Sequence, residues 1–211
     1  MVEKSPGDRN RYEIIDLPNR VQILLIQDNN QISTPAEGSM AYCSFAMNVG
    51  SHNDPAHRQG LAHFLEHMIF MGSEKYPEES AFSDLISSNG GYSNAFTEYE
   101  YTNYQFQVNY KALQKALDMK AWLFHKPLLK KEAMEREINA VESEFQGQYV
   151  SDYVRIEQLL CENTASKHHM LNCFAWGNLK SLHGENKETL WDDLKAFYEG
   201  NYSADRLKVT I

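Results

Sequence analysis

The residues best suited to chemistry stand together in His63-Phe64-Leu65-Glu66-His67. On a helix, at about 100° per residue, His63 and His67 lie one turn apart on a single face, with Glu66 beside them. Two imidazoles so related can both reach one zinc ion, and an adjacent carboxylate can hold and deprotonate a water bound to it. The rest of the stretch is Leu61, Ala62, Phe64, Leu65, Met68, Ile69, Phe70 and Met71, apolar nearly all the way round, as in a buried helix. Two imidazoles and a carboxylate are costly to bury there unless they are paired or bind a metal. The stretch asks for a cation.

A catalytic zinc needs a third protein ligand and leaves its fourth position to water. The spacing predicts a helix over 130–149 with Met134, Ile138, Val141 and Phe145 as its core stripe, and this helix carries Glu132, Glu135, Glu137, Glu142 and Glu144. Counted from Met134, Glu137 and Glu144 fall on one flank of the stripe and Glu135 and Glu142 on the other. Periodicity does not say which flank meets the metal. All five acids on a solvated face is an equally good reading of the same pattern.

The elements that must position these side chains are legible in outline. The sequence predicts strands over 12–17 and 21–27 around the turn Pro18-Asn19-Arg20, then a loop over 28–39 and a mostly apolar strand over 40–49. After the His helix come a short helix over 80–88, a break at Asn89-Gly90-Gly91, and two strands over 92–108. Tyr104, Phe106 and Val108 alternate there with polar residues. Helices are expected over 111–124, with Leu113, Ala116, Leu117, Ala121 and Phe124 inward, over 152–161 and over 188–200. The stretch 165–180 reads as irregular, and Arg206 to Ile211 as the opening of a strand. Residues 1–11 read as a flexible N-terminus and 12–211 as one domain.

Composition narrows the function. The net charge of −9, without a basic cluster, argues against nucleic acid as a partner. No run approaches 18 apolar residues, so no membrane span is expected. The start has no apolar leader, and Cys43, Cys161 and Cys173 are an odd count without Cys-x-x-Cys spacing. Both point to reduced thiols in a cytoplasmic chain. No Gly-x-Ser-x-Gly and no cysteine with a convincing partner histidine offers a nucleophile. His168, His169 and His183 lie in polar, irregular sequence and read as surface residues.

Gly60-Leu-Ala-His-Phe-Leu-Glu-His-Met68, Gly72-Ser-Glu-Lys-Tyr-Pro77, Ser93-Asn-Ala-Phe-Thr97, Thr102-Asn-Tyr104 and Arg136-Glu-Ile-Asn-Ala-Val-Glu-Ser-Glu144 appear in this order. Together they resemble the insulysin/nardilysin branch of the pitrilysin family of zinc metallopeptidases, and the likeness extends to Trp176-Gly-Asn178 and Phe197-Tyr198. His-x-x-Glu-His is the inverzincin order. The resemblance implies an α/β fold, an α+β sandwich with a mixed, largely antiparallel sheet and helices packed on it. It implies one Zn²⁺ held by His63, His67 and Glu144, since 76 residues lie between His67 and Glu144 as in the family's motif. Glu66 would be the general base, Glu137 a supporting acid behind the ligands, and Asn94, Ala95 and Phe96 a substrate-facing edge strand. It further implies a zinc metalloendopeptidase acting on short or unfolded peptides. This chain would be its N-terminal zinc-binding domain, with the remaining domains of the same polypeptide closing over the site. A non-catalytic family subunit that binds peptides, or a structural zinc protein, are the competing readings.

Overall fold

The computed structural model describes residues 3–28, 38–164, 166 and 169–211. Six strands form a single sheet: β1 (Arg11–Asp16), β2 (Gln22–Gln27), β3 (Met40–Met47), β4 (Tyr92–Thr97), β5 (Thr102–Asn109) and β6 (Leu207–Thr210). Their order is β1-β2-β6-β3-β5-β4, with β2 and β6 parallel and every other pair antiparallel. The mixed, largely antiparallel sheet that the resemblance implied is thus present. Its core face follows from period-two alternation: Thr102, Tyr104, Phe106 and Val108 of β5 are buried. Across the register Phe45 meets Tyr104 and Cys43 meets Phe106, so β3 continues the same apolar face. The final residues do more than open a strand. β6 fills the centre of the sheet, and Ile211 exchanges backbone hydrogen bonds with Leu24 and Ile26.

Seven helices are present among the described residues: α1 (Leu61–Ile69), α2 (Ala81–Ser88), α3 (Leu113–His125), α4 (Met134–Tyr149), α5 (Asp152–Thr164), α6 (Leu179–His183) and α7 (Leu190–Asn201). The sheet's buried face packs against α1, α2 and α3, and α4 lies against α1 and α6. α1 buries Leu61, Phe64, Leu65, Met68 and Ile69 at the centre of the core. At about 2 kcal/mol per apolar side chain, this offsets the cost of burying Glu66 on the same helix.

The start of α1 is fixed from outside the helix. Asp54 accepts hydrogen bonds from the backbone N–H groups of Gly60 and Ala62, 2.7 Å each, and satisfies two of the unpaired donors of the first turn. Gly60 has φ +88°, and a Cβ there would lie 2.1 Å from the Cα of Gly177. Only glycine fits that contact, which brings the Trp176-Gly177 loop against α1.

Several sequence expectations need correction. Of the residues expected inward on α3, Ala116 and Phe124 are buried and Leu113 and Leu117 pack partly buried against the core, but Ala121 is exposed, and Met119, Lys120 and Leu123 join the inward face. A lysine at an inward position hid part of that face. α6 begins inside the stretch expected to be irregular, capped by the Asn178 side chain on the N–H of Ser181. β1 already includes Arg11, so only residues before it precede the sheet. His183 is no surface residue: it is half-buried, and its Nε2 is buried without a hydrogen-bond partner. His169 is exposed, as expected. His168 and most of the loop expected over 28–39 lie outside the described residues.

Candidate metal centre

α1 presents His63 and His67 on one face, and α4 crosses it to present Glu137 and Glu144. Nε2 of His63 lies 3.3 Å from Oε2 of Glu144, and Nε2 of His67 lies 3.6 Å from Oε1 of the same carboxylate. Both imidazoles therefore turn the same nitrogen toward Glu144. Their other nitrogens are engaged elsewhere. Nδ1 of His63 donates to the carbonyl of Trp176 at 2.6 Å, and Nδ1 of His67 lies 3.5 Å from Oε2 of Glu137. Glu137 is held in turn by the Nε of Arg136 at 2.9 Å.

This is the donor set a divalent zinc ion takes: two imidazole nitrogens and a carboxylate oxygen, with backing hydrogen bonds that fix tautomer and orientation. Among the described residues, His63, His67 and Glu144 are the one group of His, Cys, Asp or Glu whose ligand atoms all lie within 4.8 Å of one another. The residues present fit the metal. Glu142, on the other flank of α4, accepts the N–H of Leu179 at the start of α6 instead.

Electrostatics follow from the packing. Burial alone pulls the His63 ring down, but the Glu144 carboxylate and the Trp176 carbonyl outweigh it and leave the pKa raised. The His63 ring holds Glu144 below the usual carboxylate range, and His67 does the same for Glu137. Glu66 goes the other way. Burial pushes its carboxyl up, opposed by the Thr97 hydroxyl, which donates to Oε2 at 2.6 Å, and by the two imidazoles. A carboxylate moved toward neutral pH can accept a proton and give it back.

Beside these groups runs a groove of about 910 Å³ lined by His63, Glu66, His67, Glu144 and the stretch from Ser93 to Tyr99, which includes most of β4. Among the described residues β4 pairs only with β5, and its outer edge runs along this groove. Asn94 lies within the strand and not in a turn, and Ala95 and Phe96 follow it along the groove wall. Phe96 packs edge-to-face on Tyr101 with ring centroids 6.0 Å apart, while Tyr99 stacks on His52 and also lines the groove. Thr97 and Trp176 stand in the blocks that carry the resemblance but had no assigned role there, and Asp54 and Arg58 were not singled out. Thr97 bonds Glu66, Trp176 bonds His63, Asp54 caps α1, and Arg58 anchors the loop before it. Of these, only Asp54, followed by Pro55 and standing shortly before the apolar run, carried a local capping signal.

Comparison with known proteins accords with this geometry. The sequence profile described as Insulinase (Peptidase family M16) matches residues 32–172. The chain is 40% identical over 207 residues to the A-factor-processing enzyme of Saccharomyces cerevisiae, covering 97% of this chain and 19% of that protein. It is 35% identical over 213 residues to human insulin-degrading enzyme, covering 100% of this chain and 20% of the relative. The crystal structure of pitrilysin superposes with a TM-score of 0.88 at 35% identity, covering 99% of this chain and 21% of that one. The chain thus spans about a fifth of the length of the relatives it matches. With its mixed α/β architecture and this profile match, the chain belongs to the insulinase family of peptidases, M16.

Proposed function

We propose that this domain is the zinc-binding catalytic part of a metalloendopeptidase that hydrolyses peptide bonds in short or unfolded peptides. The observation that carries the reading is the convergence of both imidazole Nε2 atoms on Glu144, with Glu66 beside them near the sheet's outermost strand, β4. His63, His67 and Glu144 would hold the metal, and Glu137 would orient His67. Zinc, when bound, supplies a more acidic water and a polarised scissile carbonyl.

The chain's own residues do the rest. An extended peptide adds to the outer edge of β4 through main-chain hydrogen bonds, which favours unfolded segments over folded proteins. Asn94 and Ala95 lie along that edge, and Phe96 walls a side-chain pocket. Glu66 accepts the proton of the attacking water and later gives it to the leaving amine nitrogen. Thr97 holds the carboxylate oriented through its hydroxyl. The Trp176 carbonyl fixes the His63 tautomer.

The rest of the parent polypeptide would close over the groove. The outward apolar residues of α5, with Tyr153, Ile156, Leu159 and Leu160 more than half exposed, support a covering partner on that side. The three unpaired cysteines fit a reducing compartment such as the cytoplasm. No helix among the described residues is long and apolar enough to cross a membrane.

The test compares the full-length parent with its Glu66→Gln variant on a quenched fluorescent peptide, with zinc content measured in both. The variant should keep zinc and lose nearly all turnover. Full activity in a zinc-loaded Glu66→Gln protein would refute the mechanism.

A further inference from the structure

The polar and charged side chains buried among the described residues are Ser51, Arg58, Glu66, Ser73, Thr102 and Lys120. Thr102 is set apart by its place. It opens the core face of β5, which continues through Tyr104, Phe106 and Val108, and it is 0% exposed. Valine has nearly the same shape, suits a strand equally well and has no hydroxyl to desolvate. A hydroxyl kept in such surroundings is bonded, and its partners show what it does.

The Thr102 hydroxyl donates to the carbonyl of Val49 at 2.8 Å. Its one proton is committed there, so toward any other partner its oxygen only accepts. That oxygen lies 3.3 Å from Oγ1 of Thr97. The two threonines are directly opposed in the register of β4 and β5, where the hairpin closes, so both side chains stand on one face of the sheet. Thr97 in turn donates to Oε2 of Glu66 at 2.6 Å. A continuous row of oxygens thus leads from the Val49 carbonyl to the Glu66 carboxylate. Its far end is held firmly. The N–H groups of Ser51 and His52 bond the carbonyls of Glu98 and Tyr99 at 3.0 and 2.9 Å, which clamps the hairpin loop to the segment after Val49.

Resting on the peptidase reading above, we propose that Thr102 is a positioning residue for the general base. It holds the Thr97 hydroxyl in the rotamer that orients Glu66. Thr97 lines the groove, so a turn about its Cα–Cβ bond would carry the hydroxyl off Glu66 toward water. The Thr102 oxygen, fixed by Val49, is a second acceptor beside Glu66 and favours the rotamer that keeps the hydroxyl inward. Thr102 does not line the groove itself, so it acts only through Thr97.

The experiment uses the full-length parent as wild type, Thr102→Val, Thr102→Ser, Thr97→Val, the double variant of Thr97→Val with Thr102→Val, and Glu66→Gln. It records kcat and KM on a quenched fluorescent peptide well below each Tm, together with zinc content. Thr102→Val should lower kcat by about fivefold, the effect of one lost hydrogen bond, with KM and zinc unchanged. Thr102→Ser keeps both bonds and should hold kcat near wild type. In the Thr97→Val background, removing the Thr102 hydroxyl should lower kcat no further, because its route to Glu66 is already cut. A merely structural threonine gives a different pattern. Loss of the Val49 bond would then lower Tm in both backgrounds, and any effect on kcat would multiply in the double variant. Wild-type kcat in Thr102→Val, a fall in Thr102→Ser as large as in Thr102→Val, or multiplying effects in the double variant each overturn the proposal. Thr102→Ala removes the same hydroxyl and takes the place of Thr102→Val if that variant does not fold. If Glu66→Gln remains active, the peptidase reading fails. If Glu66→Gln is inactive and the two threonine effects multiply, only the role of Thr102 fails.

Discussion

Arg58→Met should destabilise the protein far more than its surface-like residue type suggests. Arg58 is 2% exposed and sits in the loop that carries Asp54, the cap of α1. Its guanidinium donates to Asp193 at 2.8 Å, to the carbonyls of Leu182, His183 and Asn186, and to the hydroxyl of Thr189 at 2.7 Å. It therefore ties the approach to α1 onto the end of α6 and the start of α7. Methionine fills much of the volume and offers no donor. Three carbonyls and a carboxylate lose their partner, and water reaches only part of them, since the Asp193 side chain is 27% exposed. A loss of about 4 kcal/mol follows, the range for breaking a buried, hydrogen-bonded charge pair. For a chain of this size about 1 kcal/mol moves Tm by about 3 °C, so the midpoint should fall by about 12 °C. Differential scanning calorimetry of wild type and variant measures it. Arg58→Lys should recover little, because one ammonium cannot span partners arranged around a planar fork. A shift under about 2 °C would refute the reasoning, because it would mean these hydrogen bonds add nothing over solvation by water.

Further predictions follow from the same contacts. Thr97→Val removes the hydroxyl that donates to Glu66, so kcat should fall by about tenfold at unchanged zinc content, as expected for a hydrogen bond to a charged group. Equal kcat would show that the bond does not orient the base. Gly60→Ala places a Cβ 2.1 Å from the Cα of Gly177 at a positive φ, so the Trp176 loop must move away from α1. Thermal stability should drop, and the equilibrium zinc affinity should weaken as His63 loses the Trp176 carbonyl. Unchanged affinity would contradict this linkage. The folded-state pKa of Lys120 lies at about 7, below its ordinary 10.5. The unfolded chain therefore binds the extra proton between those values, and stability attributable to this residue rises with pH across that window. The Tm difference between wild type and Lys120→Met should change through the window, and a constant difference would show an unperturbed lysine.

His63, Glu66 and His67 were legible because the chemistry is local: one turn of helix in an apolar run fixes their relation. Glu144 was harder. Helical period gave its flank of α4 but not how α4 is rotated against α1, and Glu142, equally placed by pattern, caps α6. Thr97 and Trp176 act from other elements, one through a hydroxyl and one through a backbone carbonyl, and no spacing rule links them to α1. The alternation in β5 announced a half-buried strand, and the structure agrees residue by residue. On α3 the stripe is legible at Leu113, Ala116, Leu117 and Phe124 and fails at one position for a specific reason. Lysine counts as polar in any periodicity, so the pattern passes over the inward Lys120 and favours its exposed neighbour Ala121.

The central claim is that His63, His67 and Glu144 form a zinc site. X-ray absorption at the zinc edge on the purified full-length protein tests it most directly. A four-coordinate ion is expected, with nitrogen and oxygen neighbours at about 2.0–2.1 Å, two imidazoles among them, and a shell that changes in Glu144→Gln. A sulfur neighbour at about 2.3 Å, or a shell untouched by Glu144→Gln, would contradict it.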